Sequence, residues 1–68
     1  MTLEQIKELA QREPFRPFVI VLESGREIPV NSDTELLFPQ KRPETVYVFA
    51  DDRTGWIFEA QAVSALNE

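Results

Sequence analysis

Phe18-Val19-Ile20-Val21-Leu22-Glu23-Ser24-Gly25-Arg26-Glu27-Ile28-Pro29-Val30 holds two extended runs around a turn, and its register decides the fold. Phe18 to Leu22 is β-branched and aromatic, a composition that suits a pleated, half-buried surface. Two registers satisfy the pair. A two-residue Ser24-Gly25 loop sets Val21 opposite Ile28 and leaves Phe18, Ile20 and Leu22 facing Glu27 and Pro29. A three-residue loop, with Gly25 in the left-handed bulge position, sets Ile20 opposite Ile28 and Phe18 opposite Val30. The second gathers the large apolar side chains of both strands on one face, and a one-residue slip undoes that. The second is therefore predicted. Pro29 has no N–H to donate to a ladder, so its open side is expected at a sheet edge or a gap.

Working outward, the residues before this hairpin read as an amphipathic helix. Thr2 caps it and Gln5 completes a capping box, while Leu3, Ile6, Leu9 and Ala10 form one apolar stripe. Glu8 and Arg12 sit at i,i+4 on the wet side. Pro14 ends the helix and pushes Glu13 out of the helical region. Such a short helix is marginal alone and must lie on the sheet. After the hairpin, Asn31-Ser32-Asp33-Thr34 is turn-rich, and Leu36-Leu37-Phe38 is a short apolar run able to form a third strand. Pro39 to Pro43, carrying Lys41 and Arg42, reads as a loop. Thr45 to Ala50 is a clear strand, Asp51-Asp52-Arg53-Thr54-Gly55 a turn, and Trp56-Ile57-Phe58 the returning partner. Glu59 to Leu66 is rich in helix formers, with Ala60, Ala62 and Ala65, and propensity alone reads it as helix.

Pro14-Phe15-Arg16-Pro17-Phe18, followed after a strand by Ser24-Gly25-Arg26, resembles a family of very small bacterial proteins that carry no catalytic assignment. The resemblance covers most of the chain, is strongest over Leu9–Val30 and weakens beyond Leu37. It implies a short helix, the P-F-R-P-F segment, a strand, a tight turn and a second strand. Family members close with an I-D-type turn and a strand ending in V-T-x-I. Val63, Ser64 and Leu66 match that loosely, whereas Glu59-Ala60-Gln61 departs from it. The resemblance thus implies turn plus strand where propensity implies helix. The expected fold is a single α+β domain over residues 1–68: one short N-terminal helix, then about five short antiparallel strands. Strongly twisted strands of this kind curl into an SH3-like or Sm-like half-open barrel; a flatter sheet with the helix on one face is the alternative.

The chain has 68 residues, twelve acidic against seven basic for a net charge of −5, and no histidine or cysteine. Those two absences exclude disulfides, thiol nucleophiles, histidine-based triads and the usual nitrogen and sulfur zinc sites. The longest charge-free stretch, Ala60–Asn67, is far too short to span a bilayer, and no basic-then-apolar leader opens the chain. A cytoplasmic protein is expected. A chain near 60 residues buries only about 60% of its unfolded surface, and with no staple available, self-association, most simply as a two-fold dimer, is expected to supply the rest. Pro29 keeps its own strand out of a continuous intermolecular ladder, which leaves another edge or the face bearing Trp56.

No catalytic residue is predicted. Asp51-Asp52 reads as a solvated turn, because D-D-R-T-G lacks the alternating acids and later glutamate of a calcium loop. Neither G-x-S-x-G nor S-x-x-K occurs, and Gly25 and Gly55 punctuate turns instead of cradling phosphate. Phe15 and Phe18 flank Arg16 between two prolines, which suits either a rigid binding knob or a corner in which both rings are structural and the arginine stem covers them. Arg16, Arg26, Lys41 and Arg42, with Tyr47 and Trp56, are the residues from which a nucleic-acid surface would be built, although the negative total charge opposes it. Arg16, Arg26, Tyr47 and Trp56 are the candidate binding residues. No metal, cofactor or small-molecule substrate is inferred. The expected function is a non-enzymatic protein-interaction or self-assembly module; the alternative is a small-barrel nucleic-acid-binding regulator.

Overall fold

In the computed structural model, which describes residues 1–50 and 54–68, the first element is helix α1 (Leu3–Ala10). Thr2 and Gln5 cap it reciprocally: the Gln5 N–H donates to Thr2 Oγ1 at 3.4 Å, and the Thr2 N–H donates to Gln5 Oε1 at 2.9 Å. Leu3, Ile6 and Ala10 are buried and Leu9 is half-buried, so the predicted stripe is the face that packs.

Strands β1 (Phe18–Leu22) and β2 (Glu27–Val30) pair antiparallel with Phe18 opposite Val30 and Ile20 opposite Ile28. This is the bulged register, and all four side chains are buried. The loop is closed by Leu22 and Arg26, whose backbones bond at 2.9 Å, and Gly25 turns it with φ +92°. A Cβ at Gly25 would meet nothing within 4 Å, so backbone conformation alone demands glycine here. Pro29 lies opposite Val19 on the edge strand of its sheet, where its missing N–H costs no ladder bond.

Two sheets of three strands follow from the remaining elements. The first has the order β2-β1-β6, with β6 spanning Val63–Asn67. The second has the order β3-β4-β5, built from β3 (Leu36–Leu37), β4 (Thr45–Phe49) and β5 (Gly55–Glu59). One-turn 3₁₀ helices at Asp33–Glu35 and Ala60–Ala62 carry the chain between them. A single buried cluster joins α1 (Leu3, Ile6, Ala10), the first sheet (Phe18, Ile20, Ile28, Val30, Val63) and the second (Leu36, Val46, Val48, Phe58).

The α+β class is as expected, with two corrections. Among the described residues there are six strands instead of about five, and they form two small sheets that do not close into an SH3-like or Sm-like barrel. Pro29 removes a donor from β2, and the chain leaves β2 through a 3₁₀ turn into a strand of only two residues, so β2 and β3 share no ladder. The helix that alanine content implies over 59–66 is replaced by a single 3₁₀ turn and β6. Tertiary burial overrides propensity there: Ala60 and Val63 are buried, and β6 supplies the second hydrogen-bonding partner of β1, with Leu66 opposite Ile20 and Ala65 opposite Val21. The turn-plus-strand ending matches what the family resemblance implies. Asp51, Asp52 and Arg53, read from sequence as a solvated turn, lie outside the described residues.

Candidate functional site

The four candidate binding residues fall in three places. Trp56 pairs with Val48 across β4 and β5 and is half-buried on the inward side of the second sheet. Arg26, which closes the β1–β2 turn of the first sheet, lays its guanidinium 4.7 Å from the centre of the Trp56 ring. This contact fastens the two sheets together by a cation–π attraction of order 0.5–1 kcal/mol at exposed sites. Tyr47 sits on the opposite face of the same sheet, because side chains alternate along β4. Arg16 is exposed in the segment between α1 and β1.

Phe15 and Phe18 lie 6.0 Å apart with rings tilted by 52°. Phe18 is buried and Phe15 half-buried against the core, so the rings fix the helix-to-sheet corner. Arg16 stands near the Arg12–Glu68 ion pair. The hydrogen bond from Arg12 is the main cause that holds the Glu68 carboxyl below its ordinary value, and the positive charges of Arg12 and Arg16 act in the same sense. Lys7 Nζ lies 5.5 Å from the Phe38 ring centre. Arg26 thus lies against Trp56, Lys7 against Phe38, and Arg12 and Arg16 both beside Glu68.

A feature absent from the sequence reading lies on the outer face of the second sheet. Leu37 is paired with Tyr47, and Tyr47 with Ile57, so the three form one row across β3, β4 and β5. Phe49 stands next to Tyr47 on the same face, its ring edge-on at 6.2 Å. Leu37 is 51% exposed, Phe49 47% and Ile57 69%. Their exposed area is on the order of 300 Å², comparable to the largest apolar patch on a typical monomer, which is often functional. The sequence does contain the signal. A strand with one wet face should alternate apolar and polar residues, yet Val46-Tyr47-Val48-Phe49 is apolar at every position.

A pocket of about 530 Å³ opens on the inward side of the second sheet beside the edge strand β2, with Trp56, Val48, Pro29 and Glu35 among its lining residues. Among the described residues, no three His, Cys, Asp or Glu side chains converge in a way that could hold a metal, and no helix is long and apolar enough to cross a membrane. No family model, curated protein or solved structure matches the chain.

Proposed function

We propose that this chain is a non-enzymatic self-assembly module of the cytoplasm that pairs with a second copy of itself through the outer face of β3-β4-β5. The observation that carries this reading is the uncharged row Leu37–Tyr47–Ile57 with Phe49 beside it, apolar surface that the chain's own core leaves uncovered. Small size supports it, since a thin unstapled core gains stability from association. A two-fold axis through the row would set each apolar side chain against its counterpart, the simplest closed arrangement. A stable interface covers about 800 Å² per partner, so the polar flanks of the patch must join the contact, and a dimer that forms at micromolar concentration is expected. The nucleic-acid alternative draws less support, because Arg26 is engaged with Trp56 and Tyr47 stands on the opposite face of the sheet.

Sedimentation equilibrium tests the reading. The wild-type chain is expected to sediment above its 7.9 kDa protomer mass, and Ile57→Glu to sediment at it with an unchanged circular dichroism spectrum. A wild-type protein that stays at the protomer mass throughout the micromolar range overturns it.

A further inference from the structure

Each sheet ends in two edge strands, β2 and β6 in the first, β3 and β5 in the second. β2 carries Pro29 and an exposed Glu27, the ladder of β6 is interrupted by a bulge, and β3 is only two residues long. Such devices keep a sheet edge from recruiting another chain. β5, Gly55-Trp56-Ile57-Phe58-Glu59, runs for five residues without proline, lysine or bulge.

The phase of the β4–β5 ladder fixes which backbone groups stand at that edge. The Ala50 N–H donates to the Thr54 carbonyl at 3.0 Å, and the Ala60 N–H to the Glu44 carbonyl at 2.7 Å. Both bonds continue the register in which Val48 pairs with Trp56 and Val46 with Phe58. Hydrogen-bonded and non-bonded pairs alternate along an antiparallel ladder, so Trp56 and Phe58 bond to β4. The N–H and C=O groups of Gly55, Ile57 and Glu59 therefore point away from it. All three residues are exposed, and their outward backbone groups bond to no partner among the described residues.

We propose that β5 pairs antiparallel with β5 of a second copy of the chain, about a two-fold axis at Ile57. The register is self-complementary. Ile57 exchanges both backbone bonds with its own counterpart, and Gly55 does the same with the partner's Glu59. Trp56 then faces the partner's Phe58 on the inner side, a favoured aromatic cross-strand pair, and no two like charges stand directly opposite. The area on the outer face also selects a second copy as the occupant. Leu37–Tyr47–Ile57 runs on into the same row reversed, so its apolar surface rises from on the order of 300 Å² to about 600 Å², toward the roughly 800 Å² per partner of a stable interface. The edge pairing itself stands on backbone geometry and does not rest on the outer-face contact.

Amide hydrogen exchange on the full chain, read residue by residue by NMR, tests the pairing. It is run where sedimentation shows association and again after dilution to the protomer. The Gly55, Ile57 and Glu59 amides are expected to exchange about tenfold slower where about nine-tenths of chains are paired, since only free chains expose them, and to lose that protection on dilution. Ile57→Glu sets two carboxylates opposite each other across the axis and breaks both contacts. Leu37→Glu separates them: it charges the outer face on β3, across the sheet from β5, and protection is expected to persist. In a mixture of labelled and unlabelled chains, the Hα atoms of Trp56 and Phe58 are expected to show an intermolecular NOE. Their Cα atoms lie about 4.5 Å apart across such a pair but about 6.8 Å apart along one strand. An associated protein whose three amides exchange as fast as in the protomer overturns the edge pairing and leaves the outer-face reading standing. Persistent protection in Leu37→Glu at unchanged assembly mass supports the edge and removes the outer face. Protection lost in folded Leu37→Glu, protection unchanged on dilution, or a protein that never associates overturns the proposal. Protected amides without the Trp56–Phe58 contact overturn the register about Ile57.

Discussion

The two sheets are alike in strand number and differ in how far their outer faces leave large apolar side chains exposed. In the first, β2 reads Glu27-Ile28-Pro29-Val30, with Ile28 and Val30 buried and Glu27 and Pro29 exposed. In the second, β4 and β5 put Val46, Val48 and Phe58 into the core and still place Tyr47, Phe49 and Ile57 on the other side. Both sheets achieve burial inside; on the outside the first carries the half-buried Val19, Val21 and Ala65, whereas the second carries larger side chains, Leu37, Phe49 and Ile57, that are about half exposed or more. Extra apolar surface of this kind marks a place of association more often than a place of stability.

The sharpest way to break this contrast is to remove matched side chains from the two regions. Ile20 is fully buried at the centre of the first sheet, and Ile20→Ala is expected to cost about 2–5 kcal/mol. That is a large share of the 5–15 kcal/mol a domain has in total. A thermal melt reads it, and an unchanged midpoint would show that the core is not shared as described. Next in size is the turn that sets the first sheet's register. Gly25→Val places a β-branched residue at φ +92° and is expected to lose about 1–2 kcal/mol in urea unfolding, through backbone strain alone. Ile57→Ala, at an exposed position of the second sheet, is expected to change protomer stability by less than about 0.5 kcal/mol, while it shifts the association midpoint to higher protein concentration. A loss comparable to that of Ile20→Ala would place Ile57 in the core and erase the distinction.

The smallest effect concerns the ion pair between Arg12, just after α1, and Glu68, just after β6. The Glu68 carboxyl is lowered in the folded chain, so its contribution to stability is present above its ordinary value of 4.5 and is lost as pH falls through the folded value. Arg12→Gln should flatten the acid limb of stability below about pH 4.5 and leave neutral stability nearly unchanged, as an exposed pair is worth little. Acid titration followed by circular dichroism checks it, and identical acid limbs would show that the pair contributes nothing.

What was legible in the residues was mostly local. The Thr2–Gln5 box, the stripe of α1 and the bulged register around Gly25 follow from neighbours a few positions apart, where periodicity and turn chemistry act directly. Pro29 announced an edge because a missing N–H has one consequence wherever it occurs. The division into two sheets was hidden, since it depends on how a two-residue strand at Leu36–Leu37 is reached from β2. Propensity alone also misreads the strand β6, which only the resemblance implied, because its reason to be extended lies in β1, with Ser64 Oγ donating to the Val21 carbonyl across 43 positions of chain. Among the candidate binding residues, Arg26 and Trp56 do meet, but nothing local to either foretells it. In the sequence Glu35 is one acid among twelve, and only tertiary packing buries it.

The position of β1 between β2 and β6 also orders events on the ribosome. The β1–β2 hairpin can form once residue 30 has emerged, yet a two-stranded ribbon is marginal in water at best. Its other edge stays bare until Val63–Asn67 arrives and pairs with it. Throughout that interval Phe18-Val19-Ile20-Val21-Leu22 is an unpaired, uncharged, β-prone segment, the kind that nascent chains most often lose to intermolecular pairing. The time for which this protein is vulnerable is therefore set by how soon Val63–Asn67 becomes free to pair, after which β6 covers the strand.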